Sequence, residues 1–277
     1  MVRLNSVQHL LDSLAGLQRM VVDRWDDGRP QSVRQQGGDG AYDWVTGMFD
    51  GARRAAGGAR DHLCRAIAGK LVYGDLRDLL FERLYRFRAS NARLELVLQQ
   101  VDRRLGDVCS RVHDALPPRL ARAACGTLCA ALQSVMLDGG PLRLFAQADA
   151  DLLEADVAQM RSMFFADGEG LPLEEVDALC RPLSELLDVM QLDTGLLVQN
   201  LRAAGGGGGA PRRSPRNASL ATDPDVLLRV LCHRADHAAS KYLKKEFRVP
   251  KKLPSVVSAS VSRASGGLMS RLKSEKR

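Results

Sequence analysis

Aromatic side chains are scarce in this chain: Phe, Tyr and Trp together make up 5% of its 277 residues. Strands favour aromatic and β-branched residues, whereas Leu and Ala, which dominate here, enter helices at little cost. No alternating run bounded by turn residues appears, so the expected fold class is all-α. Long apolar runs are lacking too, and nothing approaches the roughly 18 such residues that a membrane span needs. The N-terminal segment holds Leu10-Leu11 but no continuous apolar stretch of the signal-peptide kind, so a cytoplasmic location is expected. Six cysteines, Cys64, Cys109, Cys125, Cys129, Cys180 and Cys232, lie scattered on predicted helices without the paired spacing of a disulfide framework. They read as buried free thiols in a reducing compartment. In such a compartment the glycosylation sequon Asn217-Ala218-Ser219 stays unused.

Catalytic motifs are equally absent. There is no GxxxxGK[ST] phosphate loop and no GxSxG nucleophile elbow. Cys125 and Cys129 stand four apart on a predicted helix, as do His233 and His237. The zinc-protease pattern needs Glu directly after its first His, and Arg234 occupies that place. A four-ligand zinc site also needs partners that nothing nearby in the sequence supplies. Asp167-x-Glu169-x-Leu171 lacks the oxygen ligands and the glycine of a calcium loop. The acidic words DADLLEAD and DGEGLPLEEVD read as helix caps and solvated faces. The residues therefore argue for a non-enzymatic protein, with no cofactor or metal assigned.

Apolar residues at helical spacing are plentiful. Leu4, Val7, Leu11, Leu14, Val21 and Trp25 mark a first helix, followed by a polar, glycine-rich loop to about Gly40. A second helix runs from Trp44 to about Leu71, and Asp75 offers a cap for a third, with Leu79, Leu80, Leu84 and Phe87 on its face. From Asn91 to Leu116, Leu94, Leu98, Val101, Leu105, Val108 and Val112 alternate spacings of four and three, a heptad seam for antiparallel packing. Pro117-Pro118 starts the next helix, with Leu120, Ala124, Leu128, Ala131 and Val135 along one side. Leu153, Val157, Met160 and Phe164 form another stripe, and Val176, Leu179, Leu183, Leu187 and Met190 the one after it. Asp193 or Thr194 caps a short helix ending near Ala204. Gly205 to Gly209 and the following APRRSPR read as a mobile linker, over 205–222. A last helix is expected from Asp223-Pro224 to about Phe247, within 223–250, and a disordered basic tail over 251–277.

Charge is distributed unevenly. Lys241 to Arg277 carries a net +9, so the preceding 240 residues carry −2 of the total +7. Lys241, Lys244, Lys245, Arg248, Lys251 and Lys252 cluster at the end of the last predicted helix, interleaved with Tyr242, Leu243 and Phe247. Part of the cluster complements the helix C-terminus. As a functional site it offers contact with anionic lipid, and the same physics would attract nucleic acid.

Three stretches carry a resemblance: LDGGPLRLF, DADLLEADVAQMRSMFFADGEGLP and DVLLRVLCHRADHAASKYLKKEFRVPK. Weaker echoes lie in VRLNSVQHLL and DGARRAA…KLVYGDLRDLLFERLYR. Together they resemble the plant relatives of the Munc/unc-thirteen exocytosis proteins, near the second Munc-homology domain. The resemblance implies an elongated rod of antiparallel helical bundles, with that homology domain at 91–201 and connecting helices over 1–90. It further implies a part in vesicle tethering and priming and in delivery of membrane cargo, including proton pumps, to the plasma membrane. The implied partners are SNARE or tethering-complex proteins and the anionic membrane. The pentaglycine run departs from the family pattern, and the chain matches only the C-terminal portion of such a protein. The alternative from a different class is a stand-alone basic helical protein that binds nucleic acid through its tail.

Overall fold

The computed structural model describes residues 1–27, 40–205 and 220–247. Two compact units divide the chain, Met1–Ala235 and Asp236–Arg277. Among the described residues the first unit holds α1 (Val2–Asp27), α2 (Gly40–Gly69), α3 (Glu95–Cys109), α4 (Pro117–Asp138), α5 (Asp149–Phe165), α6 (Leu173–Gln191), α7 (Thr194–Gly205) and α8 (Pro224–Cys232). The second holds α9 (His237–Glu246). No strand occurs among them, only an isolated parallel bridge between Phe145 and Arg234. The fold is an all-α helical bundle.

Much of its core lies on stripes that the spacing marks, but the α1 stripe is not core: only Leu4 of it is buried, and Trp25 is exposed. Leu120, Ala124, Leu128, Ala131 and Val135 of α4 are all buried, as are Leu153, Val157, Met160 and Phe164 of α5. Helix α4 packs on α2 and on α6, and α6 packs in turn on α5. Proline starts α4, and Asp193 starts α7 by accepting from the Leu196 amide at 3.0 Å. Leu4 near the start of α1 meets Cys64 near the end of α2, with Leu116 and Leu120 completing that cluster, so α1 and α2 run antiparallel.

Four expectations are corrected. First, α4 is one helix long and apolar enough to cross a membrane by length and composition, although half of its apolar window is buried inside the protein. Small residues and cysteines give it that hydropathy without an unbroken run of large apolar residues. Second, the heptad helix stops at Cys109, short of Val112, and its seam is unequal. Leu94, Leu98 and Val101 are buried, while Leu105, Val108 and Val112 pack partly exposed beside the Leu4 cluster.

Third, the helix expected after Asp75 is replaced by two π-helical segments, Lys70–Asp75 and Asp78–Arg83. Their wider turns show in the bonds from the Leu76 amide to the Leu71 carbonyl and from the Leu84 amide to the Leu79 carbonyl. Leu80 and Leu84 are buried, but Phe87 is 63% exposed. Fourth, the last helix is two. The chain leaves α8 at His233, because the backbone of Phe145 takes over its hydrogen bonds: the Phe145 amide donates to the His233 carbonyl at 2.8 Å, and the Ala235 amide to the Phe145 carbonyl at 2.9 Å. Asp236 then caps α9, accepting from the Ala239 amide at 2.6 Å. The glycine-rich loop, most of the expected linker and the tail lie outside the described residues.

Candidate functional site

Three groups of side chains stand out from an otherwise apolar packing. The first is a buried polar hub where the second π segment ends. Tyr85 and Phe87 both adopt the left-handed backbone, with φ of 56° and 68°, which bulky residues take only when held there. The Tyr85 amide donates to the Ala92 carbonyl at 3.1 Å and the Phe87 amide to the Leu142 carbonyl at 2.7 Å. The Tyr85 hydroxyl donates to Asp156 at 2.8 Å, and Arg93 grips both Asp156 oxygens through Nε, at 2.9 and 3.0 Å. Burial, then the Asp156 charge, pushes the Tyr85 hydroxyl well above its ordinary pKa, so it stays a donor. Asp156 belongs to the word DADLLEAD, and its burial corrects the reading of that word as caps and solvated face. The word's first residue, Asp149, opens α5 and accepts from the Ala146 amide at 2.7 Å, in the turn before the helix.

Arg143 completes the hub. It is buried and donates to the carbonyls of Leu84, Gly139 and Phe81 at 2.8, 2.7 and 2.7 Å, so it satisfies backbone acceptors that the π segment and α4 leave at their ends. Burial lowers its pKa, with Arg86 adding repulsion. Next along the chain, Phe145 pairs with the 233–235 backbone, and the His233 Nδ1 lies 2.8 Å from the Arg143 carbonyl oxygen. Arg234 donates to the carbonyls of Met190, at 2.9 Å, and Leu192. LDGGPLRLF and CHRA, far apart in sequence, are thus one joint in space. His233 lies past the end of α8, so the two-histidine helix face that a zinc pair needs is not formed.

The second group is a thiol cluster. The Sγ atoms of Cys125, Cys129 and Cys180 all lie within 4.8 Å of one another, and all three residues are buried. Cys129 donates to the Cys180 sulfur at 3.7 Å, across the α4–α6 interface. A Cβ added at Gly126 would stand 3.5 Å from the Leu179 Cδ2, a measure of how closely the two helices approach there. Hydrogen bonds from Cys125 and then Cys129 lower the Cys180 thiol, with Arg161 helping against the effect of burial. Cys125 is raised by its hydrogen bonds to Cys129 and Cys180. Cys129 is raised on balance: its bond with Cys125 lowers it, and the bond with Cys180 and burial outweigh that. The i, i+4 spacing of Cys125 and Cys129 was visible in the sequence. Cys180, 51 residues from Cys129, was not, because only the packing of α4 on α6 brings it in. All six cysteines are free, and Cys232 is exposed rather than buried.

The third group is basic. Lys241, Lys244 and Lys245 share one face of α9, at i, i+3 and i+4, and all are exposed. Arg248, Lys251 and Lys252 lie outside the described residues. Phe247 is 52% exposed beside them. On the first unit, a groove of about 550 Å³ opens between α2, α4 and α6, with Arg65, Arg119 and Arg122 at its rim and Cys64, Ala123, Gly126 and Leu179 among its walls.

Comparison with known proteins places this architecture. A protein from Arabidopsis thaliana named Protein unc-13 homolog is 28% identical over 254 residues, which cover 90% of this chain and 23% of that protein. The chain thus spans about a quarter of its relative's length. The family model described as PATROL1-like, TPR repeats matches residues 1–253, and the chain belongs to that family of plant unc-13-like proteins.

Proposed function

We propose that this chain is a non-enzymatic interaction module of vesicle trafficking and exocytosis. It helps to tether or prime vesicles by binding SNARE or tethering-complex proteins, and so supports delivery of membrane cargo to the plasma membrane. Its second Munc-homology part is 91–201, and it works in the cytoplasm, peripherally at the plasma membrane or on transport vesicles.

The observation that carries this reading is the family match across residues 1–253, on a bundle whose described polar clusters hold backbone together. The surface suits the role. A groove between helices accepts an amphipathic helix, the form in which many helical partners dock. Of the arginines that line the α2–α4–α6 groove, Arg119 pairs with Asp61 and Arg122 with Glu175, so charge there is largely balanced and the apolar walls carry the docking. On α9, the exposed lysines offer a second, electrostatic contact to anionic lipid.

The test is affinity capture with the full chain from cell extract, followed by reconstitution of each captured protein in purified form. SNARE or tether subunits that bind directly and compete for the Arg119–Arg122 groove support the proposal. Recovery of nucleic-acid-binding proteins through RNA, abolished by nuclease, would overturn it.

A further inference from the structure

The buried thiol cluster has a chemistry that no role in trafficking calls for. Three sulfurs from two helices converge on one point: Cys125 and Cys129 sit one turn apart on α4, and Cys180 faces them from α6. With metal–sulfur bonds of about 2.3 Å, three sulfurs arranged trigonally around one ion stand about 4 Å apart. Here Cys129 and Cys180 are 3.7 Å apart, and all pairs fall within 4.8 Å, so small rotamer changes close the set around a single ion.

The donors select the ion. Thiolates are soft ligands and favour Cu(I), zinc and iron–sulfur clusters over hard cations. Structural zinc takes four ligands. Among the described residues no further His, Cys, Asp or Glu joins this group. Cys125, Cys129 and Cys180 are 0%, 4% and 1% exposed, so water has no ready place as a fourth ligand. A monovalent d10 ion is content with three sulfurs and a dry site. We propose that Cys125, Cys129 and Cys180 form a three-coordinate site for Cu(I).

Each thiol that ligates gives up its proton to solvent, leaving a negative cluster in the bundle. Arg161, on α5, favours a thiolate at Cys180, and its ion-pair partner Asp177 on α6 opposes it. Gly126, Ala130 and Leu179, each next in sequence to one of the three cysteines, line the α2–α4–α6 groove. The close α4–α6 approach at Gly126 gives the site its width. No change of copper oxidation state is involved.

The experiment uses the full chain, fully reduced and free of oxygen, with Cu(I) presented as its coloured bicinchoninate complex. The wild type is expected to withdraw one Cu(I) per chain, and X-ray absorption to show a shell of three sulfurs. Cys125→Ser, Cys129→Ser and Cys180→Ser should each weaken binding by well over an order of magnitude, while Cys64→Ser and Cys232→Ser leave it unchanged. Cu(I) should raise the melting temperature of the wild type but not of Cys180→Ala, whose metal-free circular dichroism reports whether it folds. If the cluster variants fail to fold, the sulfur count on the wild type decides. A wild type that leaves the copper with the chelator, a two-sulfur shell, Cys180→Ser that binds as the wild type does, or tight uptake of zinc in place of Cu(I) would each overturn the site.

Discussion

Asp156 sets how the chain turns between the second π segment and α3. Its carboxylate holds the Tyr85 hydroxyl and the Arg93 guanidinium at once, and it is 1% exposed, whereas the Arg93 side chain is 39% exposed. The two partners should therefore respond unequally to removal. Arg93→Met leaves a buried carboxylate held mainly by the Tyr85 hydroxyl and is expected to cost about 3 kcal/mol, the low end for breaking a buried pair. Asp156→Asn leaves an arginine that can turn to water, so its cost should be clearly smaller. Urea unfolding of both variants checks this, and equal losses would mean that the pair is not buried in solution. Tyr85→Phe removes one hydrogen bond and should cost about 1 kcal/mol. None of this asymmetry is legible in the sequence. DADLLEAD looks like a solvated acidic word because the partners of Asp156, Tyr85 and Arg93, come from 71 and 63 residues away.

The helices themselves were legible wherever apolar spacing was regular, because a 3.6-residue period marks the face that must leave water. The α4 and α5 stripes are core in the structure for that reason, as is the α6 stripe apart from Leu179, which lines the groove. Where backbone hydrogen bonds are satisfied by other parts of the chain, spacing loses its hold. The second π segment ends on Arg143, and α8 stops where Phe145 takes its backbone groups. The α3 seam shows the intermediate case. Leu98, at 4% exposure, should lose about 2–5 kcal/mol on replacement by Ala, and the half-buried Leu105 distinctly less. Thermal melts of the two variants give the order, and a larger loss at Leu105 would contradict the packing. At the α4–α6 contact, Gly126→Ala brings its methyl only to ordinary distance from Leu179, so the better helix former should stabilise by roughly 0.4–1 kcal/mol.

At the scale of the whole molecule, charge is the property that sequence reads most directly, since it needs no fold. The chain carries +9 from Lys241 onward and −2 before it. The structure adds that Lys241, Lys244 and Lys245 project from one face of α9 into solvent. If these lysines meet anionic lipid, the attraction depends on their charge and scarcely on the bundle. Reversing Lys241, Lys244 and Lys245 to Glu should then abolish most flotation of the full chain with anionic vesicles while moving the melting temperature little. Wild-type binding should fall steeply as salt is raised, because exposed charges are screened within about 8 Å at physiological ionic strength. Neutral vesicles should bind far more weakly than anionic ones at low salt. Exposed Phe247 would add a salt-resistant remainder, which Phe247→Ser should remove. A wild type indifferent to anionic vesicles even at low salt would leave the lysines as the favourable charge at the end of α9. The interaction role of the bundle would then rest on its grooves alone.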